Sequence, residues 1–346
     1  MRNSASKFLM DVYNELSIET GKDDRKHRHK RSIENENFIT KLDRYEIENC
    51  NNVVTFKSES FGHNQPTDTK SLIKFNIRDV PYDLELLHST IRLYQDPQIG
   101  KYSQQTQNTT ITIYQRLFSE QNQKYELVSR TSINSTTTYK GWLEFNITKL
   151  LEYALHYGTL QDVNNDHDIL VGVTIESEEI FPNDIGIVGP NVLSDLQPFV
   201  IGFFNGRDTL FDKIQKLRVK RALPKTRART NHFSSTKIIY ELPKTCTKLN
   251  FTVDFDQIKL GHWVIAPKKF DAYLCGGECN FPLGSQMNAT NHAIVQTLMH
   301  LKKPNLPKPR CVPTVLDSIS ILHYINEDSF NLSKYPRSVV RQCGCH

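Results

Sequence analysis

Six of the chain's seven cysteines lie in its last third, at Cys246, Cys275, Cys279, Cys311, Cys343 and Cys345, while Cys50 stands apart in a long cysteine-free stretch. Cysteines this dense in a short segment serve either as a disulfide framework or as a metal site, and the compartment decides between them. N-x-S/T sequons at Asn108, Asn134, Asn146, Asn250, Asn288 and Asn331 favour the secretory route, where disulfides persist. The opening MRNSASKFLMDVYNEL lacks the continuous apolar core of a secretory signal, so the sequence predicts a leader ahead of these residues. Six cysteines permit many pairings, and spacing alone does not choose among them.

With 346 residues the chain is long enough for two domains. No apolar run reaches the length that crosses a bilayer, so no membrane insertion is expected. The net charge of +5 is small but uneven, with a basic stretch over 213–237. Near the start, Phe8, Leu9, Val12, Tyr13 and Leu16 fall on one face of a helix. The basic run 22–31 reads as an exposed loop. From about residue 44 to 205, short β-type runs dominate: NVVTF (52–56), LIKFNI (72–77), TIRLYQ (90–95), TITIYQ (110–115), WLEFNI (142–147), ILVGVTI (169–175) and PFVIGFF (198–204). Separated by polar turns, they predict an antiparallel β-sandwich, interrupted by one helix over 147–157.

Residues 212–237 are polar, basic and without periodicity, which predicts a linker. It holds Arg218-Val219-Lys220-Arg221, an R-x-K-R site suited to the acidic groove of a furin-like protease. A second match ends at Arg31, where an uncut loop competes evenly with processing.

The segment WVIAPKKFDAYLCGGECNFPLGSQMNATNHAIVQTL (263–298), RCVPT (310–314), ISILHY (319–324) and the terminal VVRQCGCH (339–346) resemble the bone morphogenetic proteins of the TGF-β superfamily. FLMDVYNEL, the β-rich region and GWLEFNITKLLEY resemble the matching prodomain more diffusely. The fold implied is mainly β. A β-sandwich prodomain with N-terminal helices (1–211) would precede a basic linker and tail (212–245) and a cystine-knot growth-factor domain (246–346). That last domain would carry two long β-fingers and one helix at about 291–302. The resemblance implies the pairs Cys246–Cys311, Cys275–Cys343 and Cys279–Cys345, with one bridge threading a ring closed by the other two. A threaded ring demands a residue without a side chain inside it, which gives Gly277 a steric role. It also implies that the N-terminal helix lies against the growth factor.

Where family members carry two adjacent cysteines, this chain reads Arg310-Cys311. The first of that pair normally bridges two subunits, so a non-covalent homodimer, or a heterodimer with another family ligand, is predicted. Ile294, Val295, Leu298 and Met299 would form the apolar helix face that meets the partner. By resemblance, the type I receptor surface comprises Leu260, Trp263, Ile294 and Leu298, and the type II surface Ala266, Asp271, Ser320 and Leu332. Glycans are expected at Asn108, Asn134, Asn146 and Asn288. Use of Asn250 is open, as is use of Asn331, which would obstruct the type II surface. The basic tail starting at Ala222 suits heparan sulfate or another anionic matrix as well as it suits plain solvation.

A zinc site built on Cys275, Cys279, Cys343, Cys345 and His346 is the rival reading, although its spacings depart from the usual C-x₂-C pairs. A hydrolase is disfavoured, because no G-x-S-x-G, H-E-x-x-H or P-loop pattern occurs. No recognition motif accompanies the positive charge, so nucleic acid is not an expected partner. No cofactor, metal or catalytic residue is predicted. The expected function is a secreted ligand, cut after Arg221, that gathers type I and type II serine/threonine-kinase receptors and activates Smad signalling; an antagonist that binds receptors without signalling is the alternative. Cys50 is expected to be a free buried thiol.

Overall fold

A computed structural model describes residues 3–19, 38–60, 72–77, 80, 83–101, 106–119, 124–157, 168–175, 181–191, 195–206 and 243–346. The chain divides into two units, one of Met1–Asp208 with Leu322–Ser333 and the other of Thr209–Ile321 with Lys334–His346. The Arg218–Arg221 site, the 22–31 loop with Arg31, and the basic tail at Ala222 lie outside the described residues.

In the first unit, β-branched and aromatic residues at alternating positions build strands with one apolar face. They are β1 (Asn52–Ser60), β2 (Leu72–Asn76), β3 (Glu85–Gln95), β4 (Asn108–Ser119), β5 (Lys124–Thr136), β6 (Gly141–Asn146), β7 (Asp168–Ile175) and β8 (Phe199–Asn205). One sheet runs β6-β3-β8-β1 and the other β2-β7-β4-β5, all antiparallel. Strand β1 joins both: its first residues pair with β8, and Ser58–Ser60 pair with β2. Val54, Phe56, Ile91, Leu93, Phe145 and Phe204 of the first sheet share one buried core with Phe75, Ile111, Ile113, Ile169 and Val171 of the second. A core filled from two facing sheets is the sandwich arrangement.

Among the described residues, three helices flank it. Helix α1 (Ser4–Glu19) buries Ala5, Phe8, Leu9 and Val12. Phe8 packs on Phe38 and Phe199, and Thr55 Oγ1 of β1 donates to the Ala5 carbonyl at 3.2 Å. The apolar stripe of this helix is therefore spent on β1 and β8 of its own unit. Helix α2 (Lys41–Asn49) overturns the β reading of residues 44–49. Its signal was a cap rather than a stripe: Thr40 Oγ1 accepts from the Asp43 N–H while Asp43 accepts from the Thr40 N–H. Helix α3 (Thr148–Tyr157) follows β6 and buries Leu150 and Leu151 in the sandwich core.

The second unit has little enclosed core. Short strands β9 (Thr247–Leu249), β10 (Thr252–Asp254), β11 (Val264–Ala266), β12 (Lys269–Asp271) and β13 (Leu274–Gly276) form small antiparallel pairs, β9 with β13 and β10 with β12. Helix α4 (Asn291–Lys302) starts at Thr290, whose hydroxyl accepts from the Ala293 N–H. Two long strands follow, β14 (Cys311–Tyr324) and β15 (Ser329–Cys345), neighbours in one sheet. Their connecting tip, Leu322–Ser333, belongs to the first unit. There Ser329–Ser333 of β15 pair with β1 in the register Val53↔Leu332, Val54↔Asn331 and Thr55↔Phe330.

Candidate functional site

Three disulfides converge where β13, α4 and the far ends of β14 and β15 meet. Cys246 bonds Cys311, Cys275 bonds Cys343 and Cys279 bonds Cys345, with Cα–Cα separations of 5.3, 5.7 and 5.9 Å. Gly277 has φ +112°. A Cβ there would stand 2.1 Å from the Thr245 carbonyl oxygen, on the segment entering Cys246. Only glycine lets that segment pass so close, and only glycine adopts this φ without strain. Cys311 Sγ lies 3.5 Å from the Gly276 carbonyl, so the third bridge sits against the ring backbone. Cys246, Cys279 and Cys345 pack with Met287 and Ala293 in a small buried cluster. The sulfurs of Cys246, Cys279 and Cys345 lie within 4.8 Å of one another, but each is already in a covalent bond to sulfur, which leaves no thiolate for a zinc ion.

Helix α4 turns Ala293 and Thr297 inward, and the Thr297 hydroxyl donates to the Ala293 carbonyl at 2.7 Å. Ile294, Val295, Leu298, Met299 and Leu301 remain exposed, Leu298 at 44 %. An apolar helix face left open on a domain with so little core marks an interface. Arg310 is exposed too, and its backbone exchanges two hydrogen bonds with His346, at 2.9 and 3.0 Å.

The residues assigned to the type I surface divide in two. Ile294 and Leu298 are exposed, whereas Leu260 is only 5 % exposed. The Leu260 N–H donates to the Phe255 carbonyl at 2.8 Å, and this turn tucks its side chain among Phe255, Val264 and Ile321. Leu260 is thus a core residue supporting Trp263, which packs on the outside of the same cluster. In the type II set, Ala266 and Ser320 are half-buried, and Asp271 is exposed but accepts from Thr252 Oγ1 at 2.6 Å. Leu332 is 4 % exposed opposite Val53, so this position is covered while β1 is paired.

Asn108, Asn134, Asn146, Asn250 and Asn288 are all exposed. Asn331 is fully buried. Cys50 is a free, buried thiol, and burial pushes its pKa up to about 12.

One group that sequence reasoning missed ties α2 to the sandwich. Arg92 of β3 is 1 % exposed and donates through Nη2 to both Asp43 oxygens, at 2.7 and 2.8 Å. Its Nη1 stands 3.2 Å from Glu144 of β6. Burial raises the Glu144 pKa, Arg92 opposes that rise, and Asp43 adds to it. Arginine in an apolar strand run was the one available signal.

The transforming growth factor beta like domain family matches residues 245–345, and the TGF-beta propeptide family matches residues 1–203. Protein screw of Drosophila melanogaster is 45% identical over 352 residues, covering 100% of this chain and 85% of its own. Protein 60A of the same organism is 34% identical, with 100% and 81% covered. Bone morphogenetic protein 8A of Homo sapiens is 28% identical over 84% of this chain and 72% of its own. A propeptide sandwich followed by a three-disulfide knot, matched along the whole chain, makes this protein a member of the transforming growth factor beta family, a growth-factor precursor of bone morphogenetic protein type.

Proposed function

We propose that the chain is a secreted ligand precursor, cleaved after Arg221 by a furin-like protease, whose growth-factor domain acts as a non-covalent dimer. The observation that carries this is the open apolar face of α4, with Ile294, Val295, Leu298 and Met299, beside an arginine where the family places its intersubunit cysteine. Burying that face against a second subunit is the main attraction available to hold the dimer, so assembly should depend on concentration. The partner is a second copy or another family ligand. The dimer would gather two type I and two type II serine/threonine-kinase receptors and activate Smad proteins. The mechanism is geometric, since one two-fold ligand holds two receptor pairs close together without chemistry of its own.

The type I contact would centre on Trp263 and the exposed α4 residues, with Leu260 supporting from beneath. The type II contact would use Ala266, Asp271, Ser320 and Leu332, the last becoming available once β1 leaves. Heparan sulfate would bind the basic tail. Arg310 also favours a second reading, a ligand that occupies receptors without signalling, because a dimer lacking its covalent link dissociates more readily.

Secretion from animal cells behind a signal peptide tests the proposal. The expected product begins at Ala222, has monomer mass on a non-reducing gel, and is dimeric by light scattering at micromolar concentration. A product that stays monomeric at every concentration would remove the dimer. Six free thiols with bound zinc would remove the ligand reading altogether. A Smad reporter separates agonist from antagonist.

A further inference from the structure

The six sequons divide sharply by exposure. Five present their asparagine to solvent, and the sixth, Asn331-Leu332-Ser333, is buried at all three residues. What hides it is strand β1. Asn331 stands opposite Val54, and its Nδ2 donates to Asn52 Oδ1 at 3.4 Å. The sequon hydroxyl is held by the same acceptor: Ser333 Oγ donates to Asn52 Oδ1 at 2.7 Å. Asn52 is in turn fixed by its own Nδ2, which donates to Asn51 Oδ1 at 2.7 Å and to the Gly206 carbonyl at 3.2 Å. Both side chains that define the sequon are therefore engaged by one residue of β1.

N-glycosylation joins Asn331 Nδ2 to the anomeric carbon of a lipid-pyrophosphate-linked oligosaccharide; the amide loses one proton and the lipid pyrophosphate leaves. The transferring enzyme must reach Nδ2, and the finished sugar must extend into water. With Asn331 at 0 % exposure, neither is possible while β1 and β15 are paired. Conversely, a glycan already in place would stand where Val54 and Asn52 lie, and the pair could not form.

We propose that Asn331 is a conditional N-glycosylation site gated by β1, so that a glycan at Asn331 and the β1–β15 pair exclude each other. The proposal rests on the reading of the chain as a secretory-pathway precursor. Its consequence is that the precursor partitions early into two forms. One keeps β1 on Leu332 and leaves Asn331 bare, and the other carries sugar at the finger tip and cannot accept the strand.

The test is site-resolved glycan occupancy, by mass spectrometry of the full chain expressed behind a signal peptide. Chain retained in the cell is analysed together with secreted chain, so a variant that fails to fold still reports. The wild-type precursor is expected to carry sugar at Asn288 and essentially none at Asn331. Val54→Pro, which removes a β1 N–H, is expected to raise Asn331 occupancy at least five-fold, on the order of a 1 kcal/mol shift in partition or more. Val171→Pro breaks β7, which pairs with β2 and β4 in the other sheet, and should leave Asn331 bare. High occupancy at Asn331 in the intact wild-type precursor would overturn the proposal, as would no rise in V54P or an equal rise in both variants. Bare asparagines at Asn108, Asn134 and Asn288 as well would remove the secretory reading, and this inference with it. Sugar at those positions together with sugar at wild-type Asn331 would remove only this inference.

Discussion

The two units hold themselves together by opposite means. The first buries a continuous core between two sheets, from Val54 and Phe56 through Phe75 to Val171 and Phe204, and its one described cysteine, Cys50, is unbonded. The second has clusters of four or five buried residues, and three disulfides that each close a span of 65 to 68 residues. A loop of that length is worth roughly 4 kcal/mol in the chain-entropy picture, so the bridges together rival what those small clusters supply. The unit that relies on covalent bonds is also the one with an open apolar helix. A fold that does not need its apolar residues inside can spend them on a partner.

The largest expected effect falls on the bridged unit. Gly277→Ala puts a methyl 2.1 Å from the Thr245 carbonyl at a φ of +112°, so the knot should not close. Non-reducing peptide mapping should find scrambled or free cysteines, whereas the same substitution at exposed Gly284, where a Cβ meets nothing, should leave the native pairs intact. Native pairing in Gly277→Ala would show that the close passage is not required.

Next comes the sandwich's own exception to apolar packing. Asp43→Ala leaves Arg92 without its buried partner and removes the reciprocal half of the α2 capping box, the bond from the Thr40 N–H, at a cost of about 3–5 kcal/mol. Denaturant titration should show the first unit's transition moving while the disulfide-bonded unit's stays. If both moved equally, the contrast between them would be lost.

Cys50→Ala should cost only about 1 kcal/mol, since little volume is lost and the thiol donates through a long contact of 3.8 Å to the Ile47 carbonyl. Its raised pKa also predicts that iodoacetamide labels it at pH 8 only after unfolding.

The smallest effect is at Glu144. Its folded pKa lies above its ordinary value, so the folded state holds the proton more tightly. Stability from this group is full below the ordinary carboxylate range and is lost as pH rises through the folded pKa. Glu144→Gln should therefore gain slightly at neutral pH and match wild type in acid. A loss at neutral pH would show that attraction to Arg92 outweighs the cost of burial.

Much of this was legible in the chain. The strand runs at 52–56, 72–77 and 169–175 became β1, β2 and β7, because alternating β-branched residues encode a half-buried strand locally. Helix α4 could be placed by family likeness at 291–302, and it spans those residues. Helix α2 was not read, since KLDRYEIEN has no apolar stripe and is held by a cap and by Arg92, 49 residues away. Family likeness assigns Leu260 to the type I surface, and the turn from Phe255 buries it. A sequon likewise reads as surface, and nothing near Asn331 in the chain announces Asn52, 279 positions earlier. Local pattern carries elements; long-range polar pairing decides which of their residues see water.

Strand β1 has β8 along one edge and the tip of β15 along the other. As the chain is synthesised, its partner on the first edge is complete at Asn205, but its partner on the second exists only after Ser333. Through that interval the nascent protein exposes a bare row of backbone donors and acceptors beside Val53, Val54 and Phe56, a template for any extended segment nearby. A chain cut short by a premature stop ahead of Ser329 would keep that edge open for good. Such truncations should therefore fail by aggregating as well as by lacking the ligand, and one early strand makes the solubility of the first half depend on a five-residue segment synthesised near the end.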